Sequence, residues 1–440
     1  MSQAKTPVAS QSDEAALVEE ELLRCSQCGL CLSNCPTYRA ALSERHVARG
    51  RNWLARLVWE GRAELDAPIA EPLFQCLLCG ACTVTCRSNV HTDEVMVATR
   101  HRLWQERGRP GFMRLFFDVL LPNPRLLRRL VQLVSYGKRS GLASLARRLG
   151  LLRWINARLE TAEQLVETMP RSFLRDRLVR MGFRREGEAQ PPRFVWPAAG
   201  TATVAYFIGC GTNFQLPEAG QAALHVLHAA GVDIMVVEHL CCGLPAYAYG
   251  DVEAARAMAR RNLEVLSSLG ADYVVSECAS CSSFLKSYVK LLGDEAQSLA
   301  EKVRDFTEIA CELAPPLRRT EISVTYHDPC HLVRGQGVTQ APRDLLRRLT
   351  SRYVELPEAD WCCGGAGTYN IAHPDLSLGV LERKMTNVAR TGAPVVATAC
   401  PACIVQLRYG ARRFGVNVQV RHISELLAEA LAASRVSDGA

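Results

Sequence analysis

No stretch of this 440-residue chain is both long and apolar. The greasiest run, residues 115–121 (LFFDVLL), carries an aspartate and stops at Pro122, short of the roughly 20 apolar residues a bilayer-crossing helix requires. No transmembrane segment is therefore expected. The first 21 residues are polar and acidic, with no apolar run of secretory length, so a cytoplasmic, reducing setting is expected and disulfides are disfavoured. A G-x-G-x-x-G fingerprint after a strand is also missing; Gly364, Gly365 and Gly367 follow cysteines and lack the spacing. With no flavin or nicotinamide fingerprint, the chain is not expected to be catalytic alone in hydride chemistry.

Cysteine is absent from residue 87 to residue 209, and the gap divides the chain. From Arg100 to Glu188 there are 20 Lys plus Arg against 8 Asp plus Glu, while the whole chain carries only +7, so the remainder is net acidic. This middle segment has leucines and arginines at helical spacing, interrupted by Pro122, Pro124 and Pro170, and ends in a polar linker at 186–192. It lacks nucleic-acid motifs, so no nucleic-acid partner is expected. Arginines beside leucines and phenylalanines over 112–133 suit a partner subunit or an anionic lipid surface, with a solvated face as the bland reading.

What the chain has in abundance is cysteine, 19 in all. Cys25-x-x-Cys28-x-x-Cys31-x-x-x-Cys35-Pro36 is the spacing that wraps a [4Fe-4S] cube, and Cys76, Cys79, Cys82 and Cys86 repeat it, with Arg87 in place of the proline. In two-cluster ferredoxins the fourth cysteine of each run ligates the other cluster. That rule assigns Cys25, Cys28, Cys31 and Cys86 to one site and Cys76, Cys79, Cys82 and Cys35 to the other. Paired CxxC motifs also bind zinc, but zinc takes four ligands and not a doubled run of eight.

The C-terminal half repeats itself. Cys210, Cys241, Cys242, Cys278 and Cys281 recur as Cys330, Cys362, Cys363, Cys400 and Cys403, displaced by 120 to 122 residues. β-rich runs at 203–208, 233–237 and 273–275 alternate with helical stretches at 217–230 and 252–269, which predicts α/β units with parallel sheets. The cysteines directly follow the strands, where such sheets gather ligands. Five cysteines are odd for disulfides and one too many for tetrahedral zinc. His327 and His331 flank a ligand cysteine and are candidates for tuning a cluster by hydrogen bonding or, equally, for satisfied core histidines. Cys311 matches neither repeat and reads as a small core residue.

The pattern of one cysteine, then Cys-Cys-Gly, then CxxC is similar to the cysteine-rich CCG domain of heterodisulfide reductases. Two ferredoxin motifs followed by two CCG repeats resemble the iron-sulfur subunits of glycolate oxidase, anaerobic glycerol-3-phosphate dehydrogenase and membrane heterodisulfide reductase. Cys362-Cys-Gly-Gly-Ala-Gly-Thr-Tyr369 and Cys35-Pro-Thr-Tyr38 look most like the glycolate oxidase branch. The resemblance implies a multidomain α and α/β fold: a helical ferredoxin-type domain (15–100), a basic helical linker (101–192) and two CCG domains (200–318 and 319–435). It implies two ferredoxin-type [4Fe-4S] clusters and one or two further [4Fe-4S] clusters in the CCG domains, non-cubane in the heterodisulfide reductase branch. It further implies an electron-transfer subunit serving an FAD-linked 2-hydroxy-acid oxidase and passing electrons towards a quinone or other acceptor. The alternatives are a heterodisulfide-reductase-type subunit, a glycerol-3-phosphate dehydrogenase subunit, and clusters that act only as structural staples.

Overall fold

The computed structural model describes residues 11–166, 168–187, 192–198, 200 and 202–438. Helices Gln11–Arg24, Ala48–Trp59, Ala67–Phe74 and Thr92–Arg107 form an N-terminal unit around Val18, Leu22, Ala55, Val58, Leu73, Val95 and Met96. Apolar residues three and four apart put one stripe of each helix inward. Between these helices run the cysteine loops, each closing on a short helix, Cys31–Asn34 or Ala81–Thr85.

The basic segment folds as successive short helices. Gly111–Met113 continues into a wide π-turn over Arg114–Leu120, followed by helices Pro124–Arg139, Leu142–Arg148, Leu151–Ile155 and Ala157–Leu165. No helix among the described residues is long and apolar enough to cross a membrane. Of the expected 186–192 linker, residues 188–191 lie outside the described residues. Its flanks are structured: strands β1 (Arg184–Glu186) and β2 (Arg193–Trp196) pair with each other antiparallel and extend the sheet that follows.

The C-terminal half holds two parallel sheets. The first runs through β3 (Ala202–Tyr206), β4 (Val232–Val237), β5 (Tyr273–Ser276) and β6 (Val303–Asp305), and the second through β7 (Val324–Tyr326), β8 (Tyr353–Val354), β9 (Val395–Thr398) and β10 (Gln419–His422). Spatial order is β4-β3-β5-β6 in one and β8-β7-β9-β10 in the other, the same order twice, all parallel. Near-continuous apolar runs such as Val232–Val237 fit strands covered on both faces. Each sheet has its switch point at its first strand, β3 or β7, where the connection to the next neighbour reverses direction.

The two α/β units exchange helices reciprocally. The last helix of the chain, Ile423–Asp438, packs on Pro217–Ala229 of the first unit, and Phe306–Leu313 of the first unit packs on Gln340–Leu349 of the second. Leu224, Leu227, Ile423, Leu427, Phe306, Ile309, Leu345 and Leu346 consequently share one core. Asp305 starts one of these helices by accepting from Thr307 N at 2.9 Å, while Glu308 accepts from Asp305 N at 2.8 Å, a capping box. Residues just beyond the carboxyl ends of β5 and β9 meet between the two units, Ala279 N donating to Ala399 O.

Candidate metal centres

The two N-terminal loops have matching backbones. Gln27 (φ 56) and Gly29 (φ 87) in the first correspond to Leu78 (φ 51) and Gly80 (φ 68) in the second, all left-handed. A non-glycine residue there costs about 1–3 kcal/mol and persists where the surroundings demand it. Consecutive N–H groups turned inward by such a backbone suit an anion. One cavity is lined by Cys35, Cys76, Cys79 and Cys82. The other is lined by Cys25, Cys28, Cys31 and Cys86, with Cys82 also on its wall. The first cavity thus draws three cysteines from the second run and one from the first, and the other draws three from the first run and two from the second.

Two buried cations flank the first of these cavities. Arg51 is 1% exposed and donates to the carbonyls of Pro72, His46 and Gln75 and to Thr37 Oγ1. Arg100 is 3% exposed and donates to the carbonyls of Leu73, Cys76 and Ala248. Neither has a carboxylate partner among the described residues, and burial pushes Arg100 down to about 10. Buried charge without a counter-charge is costly. Four thiolates around iron, an anionic assembly, would supply the missing partner, so the donor set and its surroundings fit a cluster. The thiols alone do not: burial first, then Cys76 and Cys79, push Cys82 well above the ordinary thiol range. Crowded sulfurs ionise together only when metal cations stand between them.

In the α/β half, each sheet end gathers five cysteines. Cys210 follows β3, Cys241 and Cys242 follow β4, and Cys278 and Cys281 follow β5; Cys330, Cys362, Cys363, Cys400 and Cys403 do the same after β7, β8 and β9. The second cysteine of each Cys-Cys pair behaves alike in the two sets. Hydrogen bonds from Cys241 and Cys281 pull Cys242 down to about 5, and those from Cys362 and Cys403 hold Cys363 well below the usual range. Cys363 and Cys403 sulfurs lie 3.5 Å apart. The glycine after each Cys-Cys pair is required twice over. Gly364 has φ +81, and a Cβ there would lie 2.8 Å from the Ser377 carbonyl oxygen; Gly243 has φ +97, with the Ala255 carbonyl oxygen 3.2 Å from where its Cβ would be.

The surroundings of the two sets differ in charge. Asn262 donates to the Cys241 carbonyl at 2.9 Å and Tyr288 to the Cys242 carbonyl at 2.8 Å. At the position equivalent to Asn262 the second unit has Lys384, fully buried, donating to the carbonyls of Glu358 and Ala359 and pushed down to about 8 by burial. Where the first unit has Phe207, the second has His327. Its ring nitrogens have no hydrogen-bond partner among the described residues, and one lies with the Cys363 and Cys403 sulfurs inside a 4.8 Å group. Burial pushes it down to about 3, so the ring is neutral and can donate one N–H towards sulfur. His331 instead pairs with Ser280 Oγ at 2.9 Å, and that hydroxyl lies 3.5 Å from Cys400 Sγ. Cys311 lines neither cavity; it packs beside the shared core and its carbonyl accepts from Arg348 at 2.8 Å.

Four cysteine sets stand in a row. Cys82 is common to the two N-terminal cavities, the Cys79 thiol adjoins Cys362 of the second α/β set, and Cys400 of that set adjoins Cys278 of the first. Arg334 reinforces the second junction by donating to the Cys79 carbonyl at 3.3 Å, and Ala279 N donates to Ala399 O at 3.0 Å across the third. At the two ends, Cys28 and Cys210 are exposed, although the Cys210 sulfur itself turns inward to Cys241. Arg51, Arg100 and Lys384 do not stand out in the sequence. For Arg51 a signal is present all the same: Val47, Arg51, Ala55 and Val58 share a helical stripe, so a cation sits on a core-facing row.

Comparison with known proteins agrees along the chain. Residues 21–90 match the 4Fe-4S dicluster domain family, 204–286 and 324–408 the cysteine-rich domain family, and 108–166 the linker region of glycolate oxidase iron-sulfur subunits. The chain is 33% identical over 433 residues to the probable glycolate oxidase iron-sulfur subunit of Bacillus subtilis, covering 94% of each. It is 29% identical over 434 residues to the glycolate oxidase iron-sulfur subunit of Escherichia coli, covering 94% of this chain and 96% of that one. It is also 27% identical over 461 residues to a dihydromethanophenazine:CoB–CoM heterodisulfide reductase subunit of Methanosarcina mazei, covering 97% and 98%.

Proposed function

The chain belongs to the family of glycolate oxidase iron-sulfur subunits and is an iron-sulfur electron-transfer subunit, and from that premise we propose how its residues serve the task. Cys25, Cys28, Cys31 and Cys86 hold one [4Fe-4S] cluster and Cys35, Cys76, Cys79 and Cys82 a second. The sets Cys210, Cys241, Cys242, Cys278, Cys281 and Cys330, Cys362, Cys363, Cys400, Cys403 each hold a further iron-sulfur cluster. When bound, such clusters supply one-electron chemistry over a wide range of potentials. The chain's own contribution is alignment: neighbouring sets touch through Cys82, Cys79–Cys362 and Cys400–Cys278. Buried Arg51, Arg100 and Lys384 offset negative charge, and His327 offers a hydrogen bond to sulfur.

The partner is a flavoprotein. Oxidising a 2-hydroxy acid such as glycolate or D-lactate removes a hydride, which flavin accepts and this chain has no flavin motif to receive. Single electrons then pass to this subunit and on to a quinone or another acceptor, with the complex on the cytoplasmic side of the membrane. The observation that carries this reading is the unbroken row of four cysteine sets, with Cys28 exposed at one end. Its test is co-expression with an FAD-linked hydroxy-acid oxidase. A stable complex whose clusters are reduced by glycolate or lactate under anaerobic conditions is expected. Failure to associate, with a glycerol-3-phosphate dehydrogenase binding instead, overturns it.

A second reading has support in the full-length similarity to the heterodisulfide reductase chain and in both five-cysteine sets being complete. In that case a CCG site would itself reduce a disulfide. Turnover of a disulfide by the isolated, cluster-loaded protein with reduced viologen decides for it; its absence leaves the relay.

A further inference from the structure

Of the 24 large hydrophobic residues exposed among the described residues, 16 fall between Phe112 and Leu159. Their placement is regular. Phe112, Leu115, Phe116 and Val119 form one outward stripe, while Met113, Phe117 and Leu121 of the same segment bury against the first α/β unit. In helix Pro124–Arg139, Leu126, Leu130 and Leu133 point outward at one-turn intervals, and Ser135 on the opposite side is buried. Leu142, Leu145 and Leu149 continue the pattern, and Trp154 is 85% exposed beside Ile155. Each segment therefore has one face spent on the protein and an apolar one facing outward, and the successive helices pack on one another.

Charge identifies what covers this surface. From residue 111 to residue 159 there are ten Lys plus Arg and a single acidic residue, Asp118, already paired with Arg109 at 2.6 Å. Arg125, Arg129, Arg139, Arg148 and Arg153 are exposed and have no carboxylate partner among the described residues. We propose that this face lies flat on an anionic lipid bilayer, leucine, phenylalanine and tryptophan side chains entering the acyl boundary and the arginines reaching phosphate headgroups. Amphipathic helices of this composition, too short to span, bind in the interface plane, and arginine stems can run along the apolar layer while the guanidinium stays among headgroups. A protein partner would need acidic groups in register with five separated arginines, whereas a continuous sheet of anionic headgroups needs no register. The inference takes its purpose from the proposed quinone acceptor, which dissolves in the bilayer, but its test does not depend on that reading.

The experiment uses the full-length, cluster-loaded protein and vesicles of phosphatidylcholine with or without phosphatidylglycerol. Sedimentation should carry the protein down with the anionic vesicles, at least tenfold less with phosphatidylcholine alone, and less again as salt is raised. Arg125→Gln/Arg129→Gln/Arg148→Gln and, separately, Leu130→Ser/Leu133→Ser should each weaken binding at least tenfold while leaving the iron content and paramagnetic spectra unchanged. Tryptophan quenching by brominated lipid should be lost in part in Trp154→Phe. No binding to anionic vesicles, or binding that ignores both sets of substitutions, overturns the proposal. So does the finding that these substitutions abolish association with the flavoprotein while vesicle binding is unaffected.

Discussion

Arg51 and Arg100 are held by backbone carbonyls, with the Thr37 hydroxyl added for Arg51, and by no carboxylate among the described residues, so their charge is available to whatever the adjacent cysteines hold. Removing one of these charges makes an added electron less welcome nearby. Arg100→Gln is therefore expected to lower the midpoint potential of the cluster at Cys35, Cys76, Cys79 and Cys82 by tens of millivolts, about 59 mV being a tenfold change for one electron. A redox titration followed by low-temperature paramagnetic resonance checks this, and an unchanged potential would contradict the charge argument. The same reasoning separates the two α/β sites. Exchanging residues between them, Lys384→Asn with Asn262→Lys, should lower the potential of the second and raise that of the first; parallel shifts would refute it. At this scale the grouping of the cysteines was legible, because iron-sulfur loops fix both residue type and spacing. Arg100 and Lys384 were not, since a lone arginine or lysine among apolar neighbours has no spacing rule of its own, and Arg51 showed only as a cation on a core-facing helical row. Lys384 becomes visible only when aligned with Asn262 through the repeat.

The elements were legible where their burial is two-sided. Strands expected at 203–208, 233–237 and 273–275 are found as β3, β4 and β5, whose apolar runs leave little ambiguity. β1 and β2 have no such signal: Arg184–Glu186 is the exposed edge strand, where charged residues are tolerated, and Arg193–Trp196, one strand in, is only four residues long and half-buried throughout. The CCG turns need glycine for close approach, and the backbone adds a left-handed φ as a second reason. Gly364→Ala is accordingly expected to destabilise the protein by roughly 1–3 kcal/mol and to deplete iron from the second five-cysteine site. Gly137→Ala, in a helix where a Cβ meets nothing within 4 Å, serves as the comparison and should be neutral or slightly stabilising. Denaturant titration and iron analysis read both; equal effects from the two would show that the Gly364 turn is not special.

Across the whole molecule, the repeat was plain in the cysteine displacements but the reciprocal exchange of helices was not. An amphipathic helix carries the same periodicity whichever sheet it covers, so sequence cannot tell that Ile423–Asp438 serves the first unit. One consequence is measurable. Deleting residues 423–438 should unsettle the first α/β unit as well, lowering protection of helix Pro217–Ala229 against hydrogen exchange and depleting iron at the Cys210 set. Loss confined to the second unit would contradict the exchange. The N-terminal unit is tied in as firmly. Arg100 packs directly on Gly250, Trp104 donates to the Tyr249 carbonyl at 2.6 Å, and Tyr369 donates to the Gln75 carbonyl at 3.0 Å. These contacts hold the four cysteine sets in one fixed row, which is what a relay asks of its scaffold.

The central claim is that eighteen of the nineteen cysteines hold redox-active iron-sulfur clusters in that row. Anaerobic purification followed by iron and sulfide analysis and a stepwise reductive titration tests it most directly. About sixteen irons per chain, with matching sulfide and reduction in single-electron steps, is the result expected from four four-iron clusters. Zinc in place of iron, or iron that takes up no electrons at accessible potentials, would contradict it.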